Sequence, residues 1–234
     1  DANPDNAVLL ASLVRGYLAQ GSPEKAMVAC IQRLEKNPQE AFTLNLMGQI
    51  HVARQDYNAA EASFQKAIAA QPAWPVPHNN MARLYLAQGK KSEAVSRLEG
   101  ALESNRQNPQ AYLTLGMLYQ ESGDIGKARD TYEAAVEAHP EMWAAANNLA
   151  FLISENPHSA ADLDKALTYA NQANEASPEN PVILDTVGWI YYKKGDLAQA
   201  EQALAKALTL APDNPVVNYH MAMVLYDTGR QLEA

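Results

Sequence analysis

Apolar residues recur along most of the chain at three- and four-residue intervals, as in Leu10, Leu13, Val14 and Tyr17. That period places them on one face of a helix. Short polar turns interrupt the pattern. Gly21, Gly89, Gly123, Gly195 and Gly229 fall where a first helix has to end, and glycine tolerates the left-handed C-cap. Ser22, Asp124 and Asp196 follow as N-caps for a second helix. Pro38, Pro72, Pro140, Pro178 and Pro212 come where that second helix has to stop. The elements predicted are therefore helix pairs, and no stretch reads as a strand.

The pairs repeat. Aligned on the alanine of each second helix, the register runs Ala26, Ala60, Ala94, Ala128, Ala166, Ala200 and Ala234, with spacings of 34 residues except for one of 38. Twelve residues before most of these alanines stands a slim residue: Val14, Gly48, Ala82, Gly116, Gly188 or Ala222, with Ala150 displaced by the longer repeat. Small residues let two helices approach closely. A lone pair cannot bury its apolar stripe, whereas stacked pairs bury it continuously. The longer repeat carries its four extra residues around Ser154–Ser159. They are expected to lengthen a surface turn, with Pro157 ending the first helix.

These small, aromatic and proline positions, in register through nearly all of residues 7–234, resemble the tetratricopeptide repeat family. Tyr112-Leu113-Thr114-Leu115-Gly116 and Thr186-Val187-Gly188-Trp189-Ile190-Tyr191 carry the resemblance best. It implies an all-α fold, a right-handed α-solenoid of stacked helix-turn-helix repeats. The repeats are expected at 7–40, 41–74, 75–108, 109–142, 143–180 and 181–214, with a partial one at 215–234. Residues 1–6 read as the end of a preceding repeat, and both ends read as cuts in a longer array. Departures from the pattern are Arg33, Arg106 and Ala170. Residues 147–152, 163–167 and 183–189 also resemble the last repeats of large bacterial members. Some of those are envelope lipoproteins tied to exopolysaccharide export and protein sorting.

Composition narrows the function. The net charge is −9, and it is uneven: residues 1–108 hold 11 Lys/Arg against 10 Asp/Glu, and residues 109–234 hold 7 against 17. An acidic second half disfavours a nucleic-acid partner, which calls for a basic face, and suits a basic one. No apolar run is long enough for a membrane span. The single cysteine, Cys30, takes the core position filled later by Phe64, Leu98 and Tyr132, so it reads as a buried structural thiol. Five scattered histidines show no metal-ligand spacing, and no nucleophile triad or phosphate loop is present. The reading is of a non-enzyme that needs no cofactor or metal.

The resemblance implies that the first helix of each repeat lines a concave groove. The groove residues carried over are Arg15; Asn45 and Gln49; Asn79, Asn80 and Arg83; Leu113, Thr114 and Met117; Asn147, Asn148 and Phe151; Asp185, Thr186, Trp189 and Tyr192; and Tyr219, His220 and Met223. Asn45, Asn79 and Asn147 share one repeat position. An amide pairs with both the C=O and the N–H of a peptide bond, so three in a row suit an extended chain. They also suit hydrogen bonds between neighbouring helices. Phe151, Trp189, Tyr192 and Tyr219 read as an aromatic wall for a ligand, or as ordinary helix packing. No lysine occupies the amide position, which disfavours the carboxylate-gripping chaperone-tail function of some members. The expected role is a protein–protein interaction scaffold. It would bind an extended peptide or partner helix, with basic and apolar residues favoured, in a bacterial multiprotein assembly. The alternative is a structural array that self-associates through its ends.

Overall fold

The computed structural model describes residues 4–230, with only the helical backbone described for residues 4–6. Among the described residues there are thirteen helices and no strand. They form two compact units, Asp1–Ala111 and Tyr112–Ala234. The N-terminal unit holds α1 (Pro4–Ala19), α2 (Pro23–Lys36), α3 (Ala41–Ala53), α4 (Tyr57–Ala70), α5 (Pro75–Ala87) and α6 (Lys91–Ser104). Helix α7 (Pro109–Glu121) spans the boundary in sequence. The C-terminal unit continues with α8 (Ile125–Ala138), α9 (Trp143–Glu155), α10 (Ala160–Ala176), α11 (Pro181–Lys193), α12 (Leu197–Leu210) and α13 (Pro215–Asp227). From α1 to α6 and from α8 to α13 each helix packs on the next, and successive first helices touch, as α1 with α3, α3 with α5, α9 with α11 and α11 with α13. That is the stacking of a solenoid built from helix pairs.

The slim positions explain how tightly a pair closes. A Cβ added at Gly48 would fall closer than 3.0 Å to three ring carbons of Phe64; one at Gly116 would do the same to Tyr132. At Gly188 it would meet Leu204 Cγ at 2.6 Å. Phe64, Tyr132 and Leu204 are each 1 % exposed or less. Bulk on the second helix thus occupies the space that glycine leaves on the first, sixteen residues earlier. Cys30 stands at the same second-helix position and is fully buried, which pushes its thiol up to about 11. It is structural, as expected.

Turn chemistry follows the expectation with two differences. All five first-helix glycines have positive φ, between 65° and 80°. In the second repeat Gln55 takes that place at φ 60°, a conformation the residue pattern alone did not flag. Asp56, Asp124 and Asp196 cap their helices by accepting backbone N–H groups. Ser22 does not: its side chain makes no capping bond, and Pro23 opens that helix instead. The four-residue insertion also goes elsewhere than expected. Helix α10 has 17 residues where α8 and α12 have 14, so three of the four extend a helix and one enters the turn. Helix α9 does stop just before Pro157, at Glu155, and a capping box of Ser159 and Asp162 starts α10. Arg33, out of pattern, forms an ion pair with Glu40, with Nε donating to Oε2 at 2.7 Å. At the N-terminus α1 begins at Pro4, which takes residues 4–6 into the first helix rather than a preceding repeat. The alanine expected at 234 lies outside the described residues.

Candidate functional site

The predicted groove residues separate into three groups. A concavity of about 610 Å³ lies in the C-terminal unit. Its lining comes from successive first helices: Met117, Gln120 and Glu121 on α7, Asn147, Asn148 and Phe151 on α9, and Val182, Asp185 and Thr186 on α11, with Tyr132 of α8 behind them. Met117 and Val182 are half exposed and form an apolar rim. Asn147 and Asp185 are more than nine-tenths buried. Burial pushes the Tyr132 phenol up to about 12, and its hydroxyl sits 3.5 Å from both Gln120 Oε1 and Asn148 Nδ2. The side chains of Gln120, Glu121, Val182 and Tyr132 were not foreseen here. Gln120 and Glu121 occupy the last turn of α7, and Tyr132 was read purely as core.

The second group lies in the N-terminal unit. Gln49, Asn80 and Arg83 line a smaller, largely apolar cleft of about 310 Å³ with Val52, Phe64 and Leu84. The amides around it are spoken for. Asn45 is buried and accepts from Asn80 Nδ2 at 2.9 Å. Asn79 exchanges two reciprocal bonds with Asn108, each 3.1 Å. Asn108 also accepts from Ala111 N and so caps α7. Its position ahead of Pro109 is the available sequence signal for that cap. Of the three amides in register, Asn147 alone makes no such bond: its Oδ1 is buried without a partner.

The third group packs rather than lines. Trp189 is buried, donates from Nε1 to Glu155 at 2.6 Å, and stacks with two rings. Tyr192 stacks with it at 5.0 Å between centroids and His220 at 4.1 Å. Lys193 sits 5.1 Å above the same indole and pairs with Glu155 at 3.2 Å. Tyr192 donates to Asp227, which raises the phenol's pKa, and His220 Nδ1 lies 2.8 Å from Asp185 Oδ1. Tyr219 is exposed and tilted against His220, Arg15 is exposed on α1, and Thr114 is half-buried on α7 away from the concavity. The aromatic residues thus hold α11 against α13. Among the described residues no three metal-ligating side chains gather, and no helix is long and apolar enough to cross a membrane.

Helix pairs in a 34-residue register, closed by slim-on-bulky packing, match a sequence family model described as the tetratricopeptide repeat over residues 51–112 and 92–150, and a second of that description over 181–214. The chain belongs to the tetratricopeptide repeat family. It is 35 % identical over 83 residues to TPR repeat-containing protein PA4667 of Pseudomonas aeruginosa, a match covering 30 % of this chain and 14 % of that protein. The chain therefore corresponds to a small part of that relative's length. Among solved structures it is similar to PilF of Pseudomonas aeruginosa (TM-score 0.70, 18 % identity, covering 94 % of this chain and 98 % of that one). It is also similar to YrrB, a TPR protein with an unusual peptide-binding site (0.63, 19 %, 82 % and 96 %). PilW, a type IV pilus biogenesis factor, aligns with a TM-score of 0.62 at 17 % identity, over 91 % of this chain and 97 % of that one. At such identities these likenesses show the fold alone. The repeat fold is in general a scaffold for protein–protein interaction.

Proposed function

We propose that this chain is a non-catalytic scaffold that holds an extended segment of a partner protein in the concavity of its C-terminal unit. The observation that carries the reading is Asn147: a buried amide oxygen without a partner, on a residue that lines this concavity. Leaving such a group unpaired costs ~1–3 kcal/mol, and native structures rarely do so without a reason. An extended backbone offers both the N–H and the C=O that an amide can meet. Met117, Phe151 and Val182 supply apolar area for a side chain beside it, and Asp185 with Glu121 favours a basic residue in the same segment. Asn45 and Asn79 are already satisfied, so binding centres on one concavity rather than on a ladder running through both units. Arg15, Gln49, Asn80 and Arg83 then offer at most an auxiliary contact in the N-terminal unit. A peptide-binding site in the fold neighbour YrrB supports the general mode. The proposed setting is a bacterial multiprotein assembly of the envelope or exopolysaccharide-export kind, to which residues 147–189 point by resemblance.

The test is selection from a random peptide library followed by titration of the selected peptide. Asn147→Ala and Phe151→Ala are each expected to weaken it about tenfold or more, by ~1.4 kcal/mol. Asn45→Ala is expected to lower stability and leave affinity unchanged. Parent-like binding by both concavity variants would place the partner elsewhere. Self-association is the second reading, favoured by Leu9, Leu13, Val28 and Ile31, which are 44–68 % exposed on α1 and α2. Sedimentation that changes with concentration would support it.

A further inference from the structure

The wall of the concavity in the C-terminal unit includes a buried carboxylate. Asp185, on α11, lines it and is 8 % exposed. Its Oδ1 is met at 2.8 Å by Nδ1 of His220 on α13. A carboxylate accepts and does not donate, so that ring nitrogen carries the hydrogen. Asp185 Oδ2 has no hydrogen-bond partner among the described residues. The imidazole is itself fixed, lying on the Trp189 indole with the planes 18° apart. Trp189 is tied in turn to Glu155. A short acid braced in this way keeps one orientation and one unengaged oxygen. Asp185 Oδ2 is not among the buried atoms that lack a partner, so this oxygen is open to an occupant of the concavity.

We propose that Asp185 reads a lysine or arginine side chain of the bound segment, and that His220 is the positioning residue that holds its carboxylate toward the concavity. The inference rests on the concavity being the binding surface, as argued above. A second, independent observation points to a ligand there: the unpartnered amide oxygen of Asn147 on the neighbouring first helix. One residue would meet the segment's backbone and the other its charge. Charge complementarity supports a cationic occupant, since residues 109–234 hold 7 basic against 17 acidic side chains and Glu121 adds an acid to the same lining.

The experiment uses the whole chain and a random peptide library at low salt. Asp185→Asn is isosteric and keeps an acceptor for His220 Nδ1, so the brace survives; thermal melts verify it. The parent is expected to enrich lysine or arginine next to an apolar residue, and to prefer a selected lysine peptide over its acetyl-lysine form by about tenfold. Asp185→Asn should remove that preference while the apolar position stays selected. His220→Leu should lower the preference and His220→Asn, which still donates, should restore it. Glu175→Gln, which removes an exposed acid on α10, should leave it intact. Enrichment without a basic residue, a preference that survives Asp185→Asn, or an equal loss with Glu175→Gln overturns the inference and leaves the concavity as a binding surface. No enrichment at all by the parent overturns both.

Discussion

Replacing Gly116 with alanine tests the packing logic of the whole array. Gly116 lies on α7 and faces Tyr132 of α8, whose ring is fully buried. The added Cβ would lie closer than 3.0 Å to three ring carbons, whereas carbon atoms settle at ~3.5–4.0 Å. A ring edge cannot bend away as a flexible side-chain end can, so ring or helix must shift. Overpacking of this kind costs ~1–3 kcal/mol. Replacing glycine in a helix returns ~0.5–1 kcal/mol. The net expectation is a loss of roughly 1–2 kcal/mol, a fall in Tm of about 2–8 °C for a chain of this length. The decisive quantity is the dependence on background. Tyr132→Ala alone should cost ~3–5 kcal/mol, as aromatic truncations do. In that background Gly116→Ala has room, keeps only its helical benefit, and should stabilise by about 0.5–1 kcal/mol. Urea and thermal unfolding of the four proteins would read this coupling. An equal loss from Gly116→Ala in both backgrounds would refute the idea that these positions trade volume.

Gln55→Gly should stabilise the N-terminal unit by ~0.5–1 kcal/mol, because Gln55 holds a positive φ that costs a non-glycine residue ~1–2 kcal/mol; denaturant melts would check it. Tyr132 should make the C-terminal unit sensitive to alkali. Its folded pKa is pushed up to about 12 against an ordinary value of 10.0, so its contribution is complete below the lower value and lost as pH rises toward the upper one; Tyr132→Phe should flatten that fall in pH-dependent melts. Trp189→Ala should cost ~3–5 kcal/mol, comparable with Leu204→Ala at ~2–5 kcal/mol, since both side chains are buried. A much smaller loss for Trp189 in the same melts would mean that its ring is a ligand surface after all.

Periodic features were legible in the residues because they repeat. The 34-residue register, the slim positions Gly48, Gly116 and Gly188, the glycine turns and the burial of Cys30 all follow from what a stacked pair must bury. Features set by one junction were not. Nothing local distinguishes Asn147 from Asn45: their different bonding depends on Asn80 at 2.9 Å in one unit and the lack of any counterpart in the other. Trp189 reads as a groove residue by position, yet Glu155 and His220, 34 residues before it and 31 after, decide that its ring is enclosed. The insertion at 154–159 looked like added loop because a surface turn accepts extra residues at little cost, but the Ser159–Asp162 capping box moves the helix start upstream and absorbs most of them.

The polar bonds between successive first helices have a consequence for order along the chain. Repeats of one length and similar shape could dock out of sequence, or exchange between copies, a recognised failure of repeat proteins. Here three of the junctions carry a pairing of their own: Asn80 with Asn45 joins α5 to α3, Trp189 with Glu155 joins α11 to α9, and His220 with Asp185 joins α13 to α11. An amide meets an amide, an indole meets a carboxylate, an imidazole meets a shorter carboxylate. Placing α13 after α9 would bring His220 against Phe151 or Asn147, with Asp185 left unmatched elsewhere. The apolar stripe makes any two pairs sticky; these unlike polar matches number them, so that a permuted array would bury the same hydrocarbon and still be the wrong one.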